Sequence, residues 1–427
     1  MRMRMHPDFL DAPGKCELIM PIRLDQVPGP APRPEPLSGW RWLALLALLL
    51  LFGTALRSWI APPSSEASYA FWGHALLPPL LLWAVLGLIR IVLFVGQQGA
   101  ADGWDESREQ DLMQRMAQGR RSQEILGVSL HTALSASYAS ADLQVSALLK
   151  GERQLKSQPA RCGGIARHSR LPGELAEPPE DVLHRVFARV MADLAPTLAL
   201  LPNDRPLALV LAINTGISDE QVWAVFHEQW RKSGIRQSPS AIDGAGLTLI
   251  DQWLDERIND AVSLVVIALQ AAHLQPESTA EAAVGLVFGN RLTPSSASPI
   301  AYLHRPQQAH GLDTGALLTS VRQALEWAAI DEQAIGQVWQ AGIEQTHVAA
   351  VTCATFQAFA SVGAPNVTGD LDALLGQAGP VSPWLAIAAA TLNMGSSTQP
   401  QCVFADGGAA APGLWSLVLT PPSARSS

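Results

Sequence analysis

Two stretches near the start of the chain are apolar without any polar period. WRWLALLALLLLFGTALRSWI (Trp40–Ile60) and FWGHALLPPLLLWAVLGLIRIVLFV (Phe71–Val95) would run about 31 and about 37 Å as helices, enough to cross a hydrocarbon core of roughly 30 Å. The first lies too far along the chain for a signal peptide, behind about 40 polar and proline-rich residues. Arg57 and Arg90 sit near segment ends, where long side chains reach the interface, and Trp40, Trp42, Trp59 and Trp72 mark interface positions. Pro78 and Pro79 kink the second helix or begin its straight part. The pattern predicts a transmembrane helical hairpin.

After residue 122 the pattern alternates between short apolar runs and amphipathic stretches. The predicted strands are 125–132, 207–213, 262–269, 282–289, 299–304, 347–353, 402–405 and 414–420. Most are continuously apolar, as strands covered on both faces are. The predicted helices are PPEDVLHRVFARVMADLAPTLALL, SDEQVWAVFHEQWRKSG, GALLTSVRQALEWAAI and VSPWLAIAAATLNMG. The second has a Ser N-cap, acids in its first turn, Lys and Arg in its last and a closing Gly. The fourth is apolar on nearly every face, so it belongs between layers. Strand–helix alternation predicts a layered α/β body.

Composition sharpens the membrane reading. Hydrophobic residues make up 48% of the 427 and charged residues 16%, and the mean hydropathy is +0.14. Arg2, Arg4, Lys15, Arg23, Arg33 and Arg41 precede the hairpin, and Arg108, Arg115, Arg120 and Arg121 follow it. The connection Ala61–Ala70 holds Glu66 and no cation. Positive flanks belong inside, so the protein is expected to pass the membrane twice, with both ends and everything after residue 96 in the cytoplasm. Cys16, Cys162, Cys353 and Cys402 are unclustered, which fits reduced thiols. The net charge of −9 argues against nucleic-acid binding.

Four regions are expected: a flexible arm at 1–39, two transmembrane helices within 40–96, a connecting segment of mixed charge at 97–122, and the cytoplasmic α/β domain at 123–427. GPAPRPEP (Gly29–Pro36) reads as an extended spacer, and 153–177 as a weak internal break without period.

The sharpest candidate chemistry is THVAAVTCATF (Thr346–Phe356). A cysteine at the end of a strand is where several enzyme families keep a nucleophile. If HVAAVTC is a strand, His347 and Cys353 lie about 20 Å apart and cannot pair. A base would have to be His131, His304 or His310, and the sequence selects none. Cys353 is therefore expected to be a packed core residue. CGGIARH (Cys162–His168) offers one Cys and one His where zinc needs three or four ligands, so it reads as a solvated basic loop. NTGIS (Asn214–Ser218) is a strand–helix junction whose helix start could hold an anion, though capping alone explains it. Neither GxxxxGK[ST], GxGxxG nor GxSxG occurs. Asp219, Glu220, Asp251, Asp255 and Glu256 are expected near helix starts or on exposed faces. No catalytic, cofactor-binding or metal-binding residues are assigned, no cofactor is expected, and the protein is read as not an enzyme.

Two resemblances bear on function. ESTAEAAVGLVFGN (Glu277–Asn290) and LDALLGQAGPVSPWLAIAAATLN (Leu371–Asn393) resemble stretches of the thiolase and ketoacyl-synthase fold, over Ile125 to Pro421. In that family the nucleophilic cysteine opens a buried helix before the first of these stretches. Here the matching SPSAIDGAGLTLIDQWL has no cysteine, and Cys353 lies on the wrong side of Glu277–Asn290 to replace it. The resemblance thus implies a lost site and a binding role. The hairpin together with GVSLHTALSAS (Gly127–Ser137), LALVLAINTGISDEQVW (Leu207–Trp223) and LVFGNRLTPSSASPIAYLHR (Leu286–Arg305) resembles the type VI secretion lipase-effector adaptor family. That resemblance implies an adaptor in the bacterial inner membrane, two-pass with termini and soluble domain in the cytoplasm, that binds a phospholipase effector and loads it onto the tip protein of the secretion spike. Trp223 and Trp230 are candidate anchors for such a partner if exposed, though a place in the core is the favoured expectation for both. The alternatives are a membrane-linked acyl-transfer enzyme of thiolase-like fold and a structural inner-membrane component of a secretion assembly.

Overall fold

The computed structural model describes residues 27–36, 38–60, 68–290, 292–293, 297–360, 368–408 and 413–422. The expected arm up to residue 26, with Cys16, and the connection at 61–67 lie outside them. The described residues divide into two units, one within Arg23–Met116 and a second within Ala117–Ser427.

The first unit contains α1 (Gly39–Ile60) and most of α2 (Ser68–Gly119). Both are long and apolar enough to cross a membrane, and no residue of α1 is buried within the protein. Pro78 and Pro79 lie inside α2. Trp83 Nε1 donates to the Trp42 carbonyl at 3.0 Å, tying the two helices together. The proline-rich spacer does not hang free where it is described. Arg33 pairs with Asp102 and with Asp105 (2.8 Å), and Arg108 Nε donates to the Pro28 carbonyl at 2.7 Å.

The second unit is a layered α/β body built as a repeat. Its first half runs β1 (Ser122–His131), α3 (Ala141–Leu149), the hairpin β2 (Lys156–Pro159) and β3 (Ile165–His168), α4 (Pro179–Leu198), β4 (Leu207–Asn214), α5 (Asp219–Ser233), β5 (Pro239–Ala241), α6 (Gly246–Glu256), β6 (Ser263–Gln270) and β7 (Ala282–Gly289). The second half runs β8 (Ala301–His304), β9 (Gln307–Gln308), α7 (Thr314–Ala328), β10 (Gln337–Ala341), α8 (Val348–Ala358), β11 (Thr368–Asp370), α9 (Leu371–Leu375), α10 (Ser382–Asn393), β12 (Gln401–Asp406) and β13 (Leu414–Thr420).

One sheet joins the halves, in the order β11-β10-β12-β13-β8-β1-β7-β6-β4-β5. Reading β1, β4, β5, β6 and β7 as the first half's strands 1 to 5, and β8, β10, β11, β12 and β13 as the second's, each half has the order 3-2-4-5-1. In each, strand 5 alone runs antiparallel to its neighbours. The two first strands meet antiparallel, with Ile125 opposite Ala301. Two halves of the same order and direction amount to an internal duplication.

Alternation along each strand divides the core. Ala208, Val210, Leu264, Val266, Trp339, Ala341, Val403 and Ala405 pack with α6 and α10 in one cluster shared by both halves. The intervening residues of β4 and β6 pack under α4 and α5. Those of β10, β12 and β13 pack under α7 and α8. Strands flanked by helices on both faces read as continuous apolar runs, which is how most were legible. In α10 every residue but Leu392 is buried, as its all-round apolarity requires. The Thr391 hydroxyl in its interior donates to the Ile387 carbonyl at 2.7 Å.

Several expectations are corrected. HVAAVTC is not a strand but the start of α8, with His347 as its N-cap. Its buried positions, Val351, Ala354, Thr355 and Ala358, recur at helical spacing. The hydroxyls of Thr352 and Thr355 bond back to the i−4 carbonyls at 2.8 Å, so these β-branched residues suit a helix. The break at 153–177 contains the β2–β3 hairpin and a buried ion network. Arg161, its side chain 5% exposed, pairs with Glu177 and Glu281 at 3.5 and 3.3 Å. The strand β10 was hidden by its glutamines, which are buried beside the Trp339 Nε1–Gln401 Oε1 bond of 2.7 Å.

Candidate functional site

The shared middle layer directs two helix starts toward one place. Helices α6 and α10 each link strand 3 to strand 4 of their own half, and both begin near the loop that leaves β12. Leu247 N–H, in the first turn of α6, donates to the Gly407 carbonyl at 3.2 Å. Gly246 has φ +56°, and a Cβ there would lie 1.5 Å from the Gly407 oxygen. A Cβ on Gly408, φ +81°, would lie 3.2 Å from Gly246 Cα and 4.0 Å from Pro383 Cγ. Only glycine permits this backbone-on-backbone approach. The place lies beyond the C-terminal ends of the parallel strands β10 and β12, where open α/β sheets form their ligand crevices.

Polar groups gather around it. Gly342, next after β10, would carry a Cβ 2.6 Å from Asp406 Oδ1 and 2.8 Å from Ser382 Cβ. Asp372 accepts from Gly342 N–H (3.0 Å) and Ile343 N–H (2.9 Å). Burial pushes the Asp372 carboxyl up to about 7 despite those two bonds. Burial likewise raises Asp406 to about 6, with the Glu344 charge adding to it. Among the described residues neither Ser382 Oγ nor Asp406 Oδ1 has a hydrogen-bond partner, although both atoms are buried. On the other side, Asn214 Nδ2 donates to Gln270 Oε1 (2.9 Å), and Gln270 Nε2 donates to the Ala280 and Gln377 carbonyls (3.0 and 2.9 Å). This amide chain fastens the ends of β4 and β6 to the turn before α10.

The convergence supplies two carboxyls, one hydroxyl and backbone amides; neither an imidazole nor a thiol is among these groups. The first turn of α6 reads Gly246-Leu247-Thr248-Leu249. Its Leu247 N–H, which could face a ligand anion, is taken up by the Gly407 carbonyl.

The residues singled out by sequence lie elsewhere. Cys353 is exposed on α8, which overturns its reading as a packed core residue. It is displaced from the buried stripe because neighbouring Ala354 takes the inward position. His347 Nδ1 lies 3.8 Å from Glu344. His304 is held neutral by burial, which lowers it to about 4, with Nε2 2.9 Å from Thr420 Oγ1. His310 is exposed in the turn before α7. Cys162 is exposed in the β2–β3 turn, while His168 is buried. Among the described residues no group of three His, Cys, Asp or Glu is placed to hold a metal ion. NTGIS is the expected junction: Asn214 ends β4, and Ser218 caps α5 with a capping box from Gln221. Trp230 is buried, with Nε1 donating to the Gln237 carbonyl at 3.1 Å, so it is no surface anchor. Trp223 is partly buried against Phe226 and His227.

Two clusters escaped the sequence reading. Asp251 is 6% exposed rather than on an open face. With Asp255 it holds the buried Arg305 guanidinium, Asp251 at 2.7 Å. Burial, opposed by the Arg305 charge, sets the Asp251 carboxyl up at about 6. The other cluster joins Ser129, His131 and Asp193. Ser129 Oγ donates to Asp193 Oδ2 at 2.7 Å, and His131 Nε2 lies 3.2 Å from Ser129 Oγ and 3.0 Å from Asp193 Oδ2. The residue types are those of a hydrolase triad, but the geometry is not. One imidazole nitrogen faces both partners, and the carboxylate takes the serine proton's bond directly, so no base–orienter chain exists. Burial would raise Asp193, but the bonds from His131 and Ser129 outweigh it and hold the carboxyl below its ordinary range.

No protein-family model matches the chain, and no curated protein does. Among solved structures it is similar to the ishigamide ketosynthase/chain length factor, with 14% identity over 71% of this chain and 100% of that one and a TM-score of 0.49. It is similar to the ketosynthase from module 6 of the bacillaene synthase of Bacillus subtilis 168, with 14% identity over 72% of each chain and a TM-score of 0.49. A third is a keto synthase–chain length factor, PfaC, with 12% identity over 71% of this chain and a TM-score of 0.49; there the chain spans only 43% of that protein's length. Membership of the lipase-adaptor family is not shown by any of these comparisons.

Proposed function

We propose that this protein is a membrane-anchored binding protein whose α/β body recruits a protein partner and carries out no chemistry of its own. The observation behind this reading is the closed start of α6, where Gly407 sits against Gly246 and receives the Leu247 N–H. The Leu247 N–H at that helix start is already bonded and is not open to an oxyanion. The sequence resemblance supplies the finer form of the reading: an adaptor for a phospholipase effector, loading it onto a secretion spike tip from the cytoplasmic face of the inner membrane. The two apolar helices and the basic flanks of the hairpin support that siting. The hairpin then raises the local concentration of body and cargo near the machine. The test is co-purification of the full chain, in mild detergent at moderate salt, with the lipase and the spike tip protein. A stable complex is expected. Normal secretion of the lipase from a strain lacking this protein, with no complex formed, contradicts the adaptor reading.

One observation favours a second reading, acyl transfer by a thiolase-like body. Ser382 Oγ is buried and unpartnered at the start of α10, and the carboxyl of Asp406, raised to about 6, is held close by Gly342. Release of free thiol from an acyl thioester, abolished by Ser382→Ala, would favour it.

A further inference from the structure

Among the described residues of the α/β body, the two most exposed large apolar side chains are Ile165 at 78% and Leu274 at 76%. They stand on neighbouring segments. Ile165 opens β3 of the two-stranded β2–β3 sheet, and Leu274 lies in the turn between β6 and β7. The segments are bonded to each other. Ser278 N–H donates to the Arg167 carbonyl at 2.6 Å, Arg167 N–H to Glu277 Oε2 at 3.0 Å, and Ser169 N–H to the Thr279 carbonyl at 3.0 Å. The β6–β7 turn holds Ala272 and Ser278 at φ +52° and +60°, a left-handed backbone that costs a residue with a Cβ some strain. The hairpin register puts Ser157, Pro159, Ile165 and Arg167 on one face, and all four are exposed. A firmly supported face thus presents apolar side chains to water.

Charge points to what covers it. From Arg153 to Gly173 the chain carries Arg153, Lys156, Arg161, Arg167 and Arg170 and no acid, in a protein of net charge −9. Arg161 is taken up by Glu177 and Glu281. Arg153, Lys156 and Arg167 are exposed, and among the described residues none of their side chains pairs with a carboxylate. Glu152 and Glu277 beside them already accept from the Tyr138 hydroxyl and the Arg167 N–H.

We infer that this surface docks an extended acidic segment of a protein partner, with a carboxylate on Arg167 and an apolar side chain against Ile165 and Leu274. The inference rests on the reading of the body as a binding protein and gives that binding a place. A guanidinium matches a carboxylate with two parallel bonds, and burial of the apolar pair supplies affinity. Arg153 and Lys156, at the base of the hairpin, steer the acidic segment toward it. The bonded supports leave little to order on binding.

The test uses the full chain in nanodiscs of neutral lipid, with Cys16 and Cys353 changed to Ser and an environment-sensitive dye on Cys162 in the β2–β3 turn. The probe is a short glutamate-rich peptide with one central leucine, and its lysine counterpart is the control. The acidic peptide is expected to shift the dye and to bind about tenfold more tightly than the control. Arg167→Glu and Ile165→Asp, both at exposed positions, should each weaken it about tenfold, and Arg167→Lys should keep part of the affinity. Equal binding of the two peptides overturns the inference, as does binding unchanged in Arg167→Glu and Ile165→Asp. A dye shift with phosphatidylglycerol vesicles and none with the peptide also overturns it, in favour of a membrane surface. Co-purification of the lipase with Arg167→Glu as with the wild type sinks this surface and leaves the adaptor reading standing. Peptide binding that follows the expected pattern, with no lipase captured by the wild type, upholds the surface and sinks the adaptor reading.

Discussion

Gly246 and Gly407 approach so closely that a Cβ on the first would lie 1.5 Å from the carbonyl oxygen of the second. They come from different halves of the repeat, and their contact closes the start of α6. Gly246→Ala would put a side chain against backbone at φ +56°. It should cost about 3 kcal/mol or more, as strain at a special dihedral combined with a clash does. Loss of urea midpoint in the purified protein measures it.

Arg305 ties the second half to α6 of the first. Replacing it with Met leaves Asp251 buried without its partner. The expected loss at pH 7 is about 3–5 kcal/mol, and a second change, Asp251→Asn, should recover part of it. Full additivity of the two changes would show that the pair is not coupled.

Asp372 titrates at about 7 in the fold against an ordinary 3.8. A raised carboxyl makes the folded state bind the extra proton, so its contribution is neutral below about pH 4, grows as a cost between about pH 4 and pH 7, and levels off above that. Asp372→Asn removes that cost. The variant should gain on the wild type by about 2–4 kcal/mol between pH 4 and pH 7. A difference that does not change with pH would show that Asp372 titrates normally.

Cys353 and Cys162 are exposed, while Cys402 is fully buried and its thiol is pushed up to about 12. In the folded protein a thiol reagent should label the first two within minutes and Cys402 only on unfolding. Cys353→Ser should change stability by less than about 0.5 kcal/mol.

The apolar pattern made the long elements legible. The strands 282–289 and 414–420, the capped helix after NTGIS and the fully buried α10 all follow from burial on every side or from cap chemistry. Short elements were not legible. The strands β5, β9 and β11 span two or three residues and are defined by their partners rather than by any period. α8 misled because Val348, Val351 and Thr352 read as strand formers, and only packing against the α7 side of the core fixes them as helix. The candidate site was legible only as a missing cysteine. Gly246 lies in the other half of the repeat from Gly407, and Asp372, Ser382 and Asp406 stand on separate segments of the second half, so no local motif marks them as one place. Asp251 and Arg305 escaped for the same reason, since nothing local marks an acid on an amphipathic helix as paired with an arginine some fifty residues away.

The central claim is that the body binds and does not catalyse. Its most direct measurement is release of free thiol from a series of acyl thioesters by the full-length protein in detergent, together with intact-mass analysis for a covalent acyl adduct. The account predicts no release above the uncatalysed rate and no adduct on any residue. Saturable release that is lost in Ser382→Ala or Cys353→Ser, or an acyl adduct on either side chain, would contradict it.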